Sequence, residues 1–134
     1  MAGLVMLTMR CALIFVLIAP NPSAFVQKGT HVTTRIIFRK GASSTVIRGK
    51  ARWGASYIYL LKAKAGQILT VHLKGEPVVR IVPPGAHNYE TLEGADNVHD
   101  WSGRLPLTGD YQLNVGHTND AYTLAPYTLE VKVE

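Results

Sequence analysis

The fold of this chain is decided by two stretches, KAGQILTVHL at residues 64–73 and LTGDYQLNV at residues 107–115. In each stretch a glycine turn precedes a segment in which apolar and polar residues alternate. Because successive side chains of a β-strand point to opposite faces, this alternation predicts a strand with one buried face. We therefore expect the apolar positions of both stretches to lie in the core: Leu69, Val71, Leu73, Tyr111, Leu113 and Val115.

Similar segments recur along the chain at the spacing that is typical of β-sandwiches and barrels. Helix signals are nearly absent after residue 24. The pattern predicts an all-β fold, a single antiparallel β-sandwich of about eight short strands. The expected strands lie at residues 33–38, 44–48, 56–63, 68–73, 78–82, 101–105, 111–115 and 127–133.

The N-terminus has the features of a secretory signal peptide. Arg10 precedes an apolar run at residues 11–19, and Ala24 follows a proline-containing breaker. The run is too short to span a bilayer as a helix of the mature chain. We therefore expect three segments, with a retained N-terminal anchor as the alternative to cleavage. They are a signal peptide at residues 1–24, a flexible N-terminal segment at 25–32 and the β-sandwich domain at 33–134.

Cysteine usage indicates the compartment. Cys11 is the only cysteine and lies inside the predicted signal peptide, so the mature chain would have no disulfide. Secretion without disulfides favours a bacterial periplasm or exterior, and we expect a periplasmic or secreted protein with no membrane span in the mature chain. The core alone must then hold the fold, which a mature domain of this size can do.

Charge is distributed unevenly along the chain. Residues 25–75 contain ten Lys or Arg residues and no acid, whereas residues 76–134 contain three basic residues and nine acids. We expect the pairing of distant strands to mix these charges over the surface. The alternative is a bipolar surface with one face suited to an anionic partner. A nucleic-acid partner is not expected, because the basic stretches lack interleaved aromatic residues and a signal peptide precedes them.

No pattern in the sequence points to catalysis. The chain has no Gly-x-Ser-x-Gly elbow, no His-Glu-x-x-His helix and no phosphate-binding glycine loop. We expect no enzyme activity, no catalytic residue and no cofactor. Six potential metal ligands crowd one segment, but their spacing matches no known calcium loop, and a solvated polar loop without a metal is favoured. These ligands are His87, Glu90, Glu93, Asp96, His99 and Asp100.

The stretch FRKGASS at residues 38–44, then Gly49, Tyr59 and AKAGQ at residues 63–67, resembles the periplasmic inhibitors of goose-type (g-type) lysozyme. The chain is also similar to the wider group of bacterial pre-peptidase C-terminal-like β-sandwich domains. The motifs that carry this second similarity are PPG at residues 83–85, WSG at 101–103, LP at 105–106, GDY at 109–111 and YTL at 127–129.

The resemblance to the inhibitors implies a partner, a g-type lysozyme, and a mode of action in which loops enter the sugar-binding cleft. Two segments correspond to those loops. RWGASY at residues 52–57 replaces a loop rich in tyrosine and aspartate, and HTNDAYT at residues 117–123 keeps Asn-Asp-Ala but lacks the family's arginines. Candidate partner-binding residues are therefore Trp53, Tyr57, His117, Asn119, Asp120 and Tyr122.

Tyr57 shares a strand face with Tyr59 and Leu61, so its ring is also expected in the core.

The departures from the family's loops leave open a second function, that of an accessory β-sandwich module that binds an anionic cell-envelope polysaccharide or assists secretion.

Overall fold

The computed structural model describes residues 31–87, 90–117 and 124–134. Within these ranges no helix has the length and apolar character needed to cross a membrane. The described residues form eight β-strands, as the sequence predicts. They are β1 (His31–Arg35), β2 (Ser44–Ala51), β3 (Ser56–Ala63), β4 (Ile68–Lys74), β5 (Val78–Val82), β6 (Asp100–Arg104), β7 (Gly109–Gly116) and β8 (Ala125–Val133).

The strands form two four-stranded sheets. The first sheet has the order β1-β3-β7-β5 and the second has the order β2-β8-β4-β6. All strand neighbours are antiparallel except β1 and β3, which are parallel, with His31 opposite Ser56. The expectation of a purely antiparallel fold is therefore wrong at β1. The chain crosses to the second sheet after β1 and returns after β2, and two such crossings restore the original direction.

One core lies between the two sheets. All six core positions predicted from the two opening stretches are buried, and so are the inward residues of β8. These side chains belong to a single apolar cluster that draws on strands of both sheets. The sheets therefore face each other across a shared core, which is the arrangement expected of a β-sandwich.

The long segment after β5, expected as a polar loop, closes one side of this core. Its backbone pairs with the free edge of β5, where Val98 and Val79 exchange hydrogen bonds at 2.9 and 3.0 Å. Ala95 is fully buried, and the indole nitrogen of Trp101 donates a hydrogen bond to the carbonyl oxygen of Glu93 at 3.0 Å. An edge covered in this way does not offer its unpaired amides to another chain.

Candidate binding surface at one end of the two sheets

The two loops singled out by the sequence meet at the same end of the molecule. Ala51, where β2 ends, pairs with Ala125, where β8 begins. Ser56, where β3 begins, pairs with Gly116, where β7 ends. The β2–β3 loop and the strand ends that flank residues 117–124 therefore lie next to each other. We call this end of the molecule the loop end.

A third loop, which the sequence analysis did not include, also belongs to the loop end. It joins β4 to β5 and contains Gly75 and Glu76. Gly75 has φ +121°, and a Cβ there would lie 2.5 Å from the carbonyl oxygen of Pro126, so glycine is required. Glu76 Oε2 lies 3.9 Å from His117 Nε2. In the sequence, this loop is marked only by its turn-like composition. The approach of Glu76 to His117 depends on strand pairing that the sequence does not reveal.

Trp53 lies at the tip of the β2–β3 loop. The amide of Ala55 donates to the carbonyl oxygen of Arg52 at 3.1 Å, and Gly54 has φ +77°, so the loop is a tight turn. The side chain of Trp53 is not drawn into the core, and the residue remains 52% exposed. An exposed tryptophan on a short, hydrogen-bonded turn is a preorganised apolar contact for a partner.

Tyr57 lies beneath this loop and does not project from it. Its ring packs against the core and is tilted by 53° relative to the ring of Tyr127, with the ring centroids 6.3 Å apart. Its hydroxyl accepts a hydrogen bond from the backbone amide of Arg52 at 3.3 Å. The structure therefore places Tyr57 where it can position the β2–β3 loop, in agreement with the expectation of a core ring.

The remaining candidates lie on the β7–β8 loop. The side chain of His117 is fully buried, so its described position supports the start of the loop and offers no surface to a partner. Asn119, Asp120 and Tyr122 lie outside the described residues. Leu124, the residue directly before β8, is 49% exposed. Within the described residues, the structure thus brings the candidates Trp53, Tyr57 and His117 to the loop end, and of these three Trp53 alone is exposed.

A groove of about 540 Å³ extends from the loop end over the outer face of the first sheet. Its floor includes Ile58, Asn114 and Arg80, which lie opposite one another on three adjacent strands. Arg80 Nε lies 2.6 Å from Asp96 Oδ1, so this cation is paired within the fold. Asn114 Oδ1 is buried and has no hydrogen-bond partner among the described residues, which leaves it available to a donor from a bound partner.

Several of the potential metal ligands in the long segment have structural partners. Asp96 pairs with Arg80, His99 Nε2 lies 3.1 Å from the carbonyl oxygen of Gly75, and Asp100 contacts His72 Nδ1. In the part of the chain that the structure describes, no three His, Cys, Asp or Glu side chains come together as metal ligands. This segment is therefore tied to β5 through Asp96 and to the β4–β5 loop through His99.

Comparison with solved structures places the fold among known proteins and confirms the resemblance inferred from the sequence. The structure is similar to that of Aeromonas hydrophila PliG, a periplasmic lysozyme inhibitor of g-type lysozyme. The TM-score is 0.71 and the sequence identity is 28%, with 78% of this chain and 98% of that chain covered.

Two other solved structures are similar. A mutant of the Escherichia coli PliG inhibitor of g-type lysozyme is 22% identical, with a TM-score of 0.62 and coverage of 78% of this chain and 99% of that chain. This likeness concerns the fold alone. A pre-peptidase C-terminal domain of a Bacillus anthracis collagenase has a TM-score of 0.48 and 15% identity, with 78% and 94% covered. No protein-family model and no curated protein sequence matches the chain.

Proposed function

We propose that this chain is a periplasmic inhibitor of g-type lysozyme that acts by inserting its loop end into the substrate cleft of the enzyme. The observation that carries this proposal is the similarity to the Aeromonas hydrophila inhibitor, which extends over 98% of that protein at 28% identity. That solved relative is an inhibitor and not an enzyme, which supports the sequence prediction of a protein without catalytic activity.

The geometry of the loop end suits inhibition by occlusion, since blocking a cleft requires shape and contacts but no reactive group. Trp53 supplies an exposed aromatic side chain, the residue class that most often dominates binding energy in interfaces. The hydrogen bond between Tyr57 and Arg52 fixes the loop before binding, so less conformational entropy is lost on association.

Charge at the loop end also fits a glycosidase cleft. Glycoside hydrolases typically carry a pair of carboxyl groups in the active site. Arg52 lies directly before Trp53 in the β2–β3 loop, so an inserted Trp53 would bring a guanidinium close to such carboxylates. On this proposal Arg52 supplies a cation at the loop end, where residues 117–123 contain no arginine.

The proposed compartment rests on the predicted signal peptide and on the periplasmic origin of the similar inhibitor. We propose cleavage after Ala24, which would leave residues 25–30 ahead of β1. N-terminal sequencing of the protein recovered from a periplasmic fraction tests this part, and a first residue of Met1 would contradict it.

The function is tested by adding the purified protein to a g-type lysozyme and following the lysis of bacterial cells. We expect loss of lysis at micromolar or lower inhibitor concentration and formation of a complex on gel filtration. A chicken-type lysozyme serves as the control enzyme and should remain active. Full lysis by the g-type enzyme in the presence of micromolar protein would contradict the proposal. The alternative of an accessory module that binds an envelope polysaccharide or assists secretion has no support from the comparisons.

A further inference from the structure

The outer face of the second sheet carries a cluster of cations that the proposed inhibition does not use. Arg48 on β2 lies opposite Thr128 on β8, which in turn lies opposite Lys74 on β4. Lys50, two residues after Arg48, projects from the same face, because side chains on a strand alternate. These residues border a groove of about 670 Å³, which we call the basic groove.

The cations of the basic groove have no counter-ions in the described part of the chain. Two of the other exposed cations there are paired: Arg35 with Asp110 at 2.9 Å and Lys132 with Glu134 at 2.8 Å. Arg48, Lys50 and Lys74 make no such ion pair with the described residues, although all three are exposed. At this end of the face, strand pairing adds Lys74 from β4 to the two cations of β2, whereas the acids Glu130 and Asp100 lie further along the same face. Like charges held together repel one another, and a bound anion relieves that repulsion.

We propose that the basic groove is a binding site for an anionic polysaccharide. The cations are spread over the sheet. By ideal strand geometry, the Cα atoms of Arg48 and Lys50 are about 7 Å apart along β2, and those of Arg48 and Lys74 are about 10 Å apart across two strand spacings. This spread suits several anionic groups carried on one chain better than a single small anion. The hydroxyl of Thr128 lies between Arg48 and Lys74 and offers a hydrogen bond to a sugar hydroxyl.

The lining of the basic groove favours a polysaccharide over an acidic protein surface. Protein interfaces depend on large apolar or aromatic anchors at their centre. None of the exposed large apolar side chains of the described residues lines this groove, and Tyr127 at its base is only 4% exposed. The uncharged part of the lining consists largely of small or flat residues: Gly49, Gly75, Pro126 and Thr128.

The basic groove adjoins the loop end without including its tip. Gly75 lines the groove and also begins the β4–β5 loop, whereas Trp53 does not line it. A polysaccharide bound on the sheet face would therefore leave the tip of the β2–β3 loop accessible. The two proposed binding activities depend on different side chains, so either can be present without the other.

The test uses dextran sulfate as the anionic polysaccharide, neutral dextran of equal length, and poly-glutamate as the acidic polypeptide. We expect dextran sulfate to bind to the purified protein at low salt, to be released as salt rises, and to bind more tightly than poly-glutamate. Neutral dextran should not bind. The triple variant R48Q/K50Q/K74Q should bind dextran sulfate at least about tenfold more weakly, because three charged contacts are lost.

A matched control distinguishes binding at the basic groove from attraction by the net charge of the protein. The triple variant R39Q/K40Q/K64Q removes the same number of charges near the opposite end of the molecule and should bind dextran sulfate almost as well as the unchanged protein. Equal losses in the two triple variants, tighter binding of poly-glutamate, or no binding of dextran sulfate would overturn the proposal. If R48Q/K50Q/K74Q does not fold, K74Q alone is compared with K64Q.

Lysozyme inhibition is measured on the same variants, so that a failure of the polysaccharide site can be told apart from a failure of the proposed inhibition. We expect R48Q/K50Q/K74Q to lose dextran sulfate binding and to retain inhibition. Loss of inhibition together with unchanged dextran sulfate binding would assign these cations to the lysozyme contact and overturn the polysaccharide site.

Discussion

The hydroxyl groups of Tyr59 and Tyr127 lie 2.5 Å apart in the core, and each comes from a different sheet. Burial raises the pKa of the Tyr127 phenol far above its usual range, and the hydrogen bond to Tyr59 adds to this effect. The Tyr127 phenol therefore stays protonated, and its hydrogen bond with Tyr59 joins β3 to β8 directly beneath the loop end. The ring of Tyr127 also packs against Tyr57, which holds the β2–β3 loop.

Removing one of these two hydroxyls should destabilise the protein more than its single hydrogen bond suggests. In Tyr127→Phe the hydroxyl of Tyr59 stays buried without a partner, and such a group costs about 1–3 kcal/mol. We expect a loss of that size in the free energy of unfolding, measured by urea denaturation. The double variant Tyr59→Phe/Tyr127→Phe should lose less than the sum of the two single variants, because no unpaired hydroxyl remains. Strict additivity would show that the hydroxyls do not interact.

Tyr111 combines a buried ring with a local hydrogen-bonded turn. The ring is fully buried, and the hydroxyl donates to the carbonyl oxygen of Leu107 at 2.6 Å and accepts from the amide of Leu107 at 3.0 Å. We expect Tyr111→Ala to cost about 3–5 kcal/mol of unfolding free energy, as other aromatic-to-alanine changes in cores do. Tyr111→Phe keeps the ring and should cost only about 1 kcal/mol. An unchanged melting temperature in Tyr111→Ala would contradict the assignment to the core.

The sequence predicted features that depend on local alternation and missed those that depend on pairing between distant strands. Tyr111 was expected in the core, and this is confirmed, because the turn and the strand are contiguous in the chain. The parallel pairing of β1 with β3 was missed, since it follows from two crossings between sheets. For the same reason the approach of Glu76 to His117, and the addition of Lys74 to the cations of β2, were not predictable from the sequence.

An exposed ion pair attaches β1 to the start of β7. Arg35 Nη1 and Nη2 donate to the two carboxylate oxygens of Asp110 at 3.0 and 2.9 Å. These hydrogen bonds from Arg35 hold the pKa of Asp110 below its usual value. A carboxyl whose pKa is lower in the folded state stabilises the protein above its unfolded pKa, about 3.9. That contribution is lost as the pH falls through the lower folded pKa.

Asp110→Asn should therefore lower the melting temperature at neutral pH, and the difference from the unchanged protein should shrink as the pH falls below about 3.9. Melting curves from neutral to strongly acidic pH measure this difference. The control is Glu90→Gln, which removes an exposed acid that has no ion pair within the described residues. A difference that stays constant from neutral to acidic pH would show that the ion pair contributes nothing to stability.

Trp53 is the described side chain on which the proposed inhibition depends most. It is 52% exposed and does not belong to the core cluster, so Trp53→Ala should change the unfolding free energy by less than about 0.5 kcal/mol. Central aromatic anchors of interfaces lose at least about 2 kcal/mol of binding energy when truncated, which corresponds to roughly a thirtyfold weaker complex. We expect a loss of that order in the affinity for a g-type lysozyme, measured by calorimetry and by the inhibition of lysis.

Leu107→Ala is the matched control, since Leu107 is similarly exposed at 48% but lies at the opposite end of the sheets. This variant should keep full affinity, which would show that the loss in Trp53→Ala reflects its position and not the removal of an exposed apolar side chain. If Trp53→Ala folds normally and inhibits as strongly as the unchanged protein, the β2–β3 loop does not enter the cleft. The inhibitory contact would then have to come from another part of the molecule.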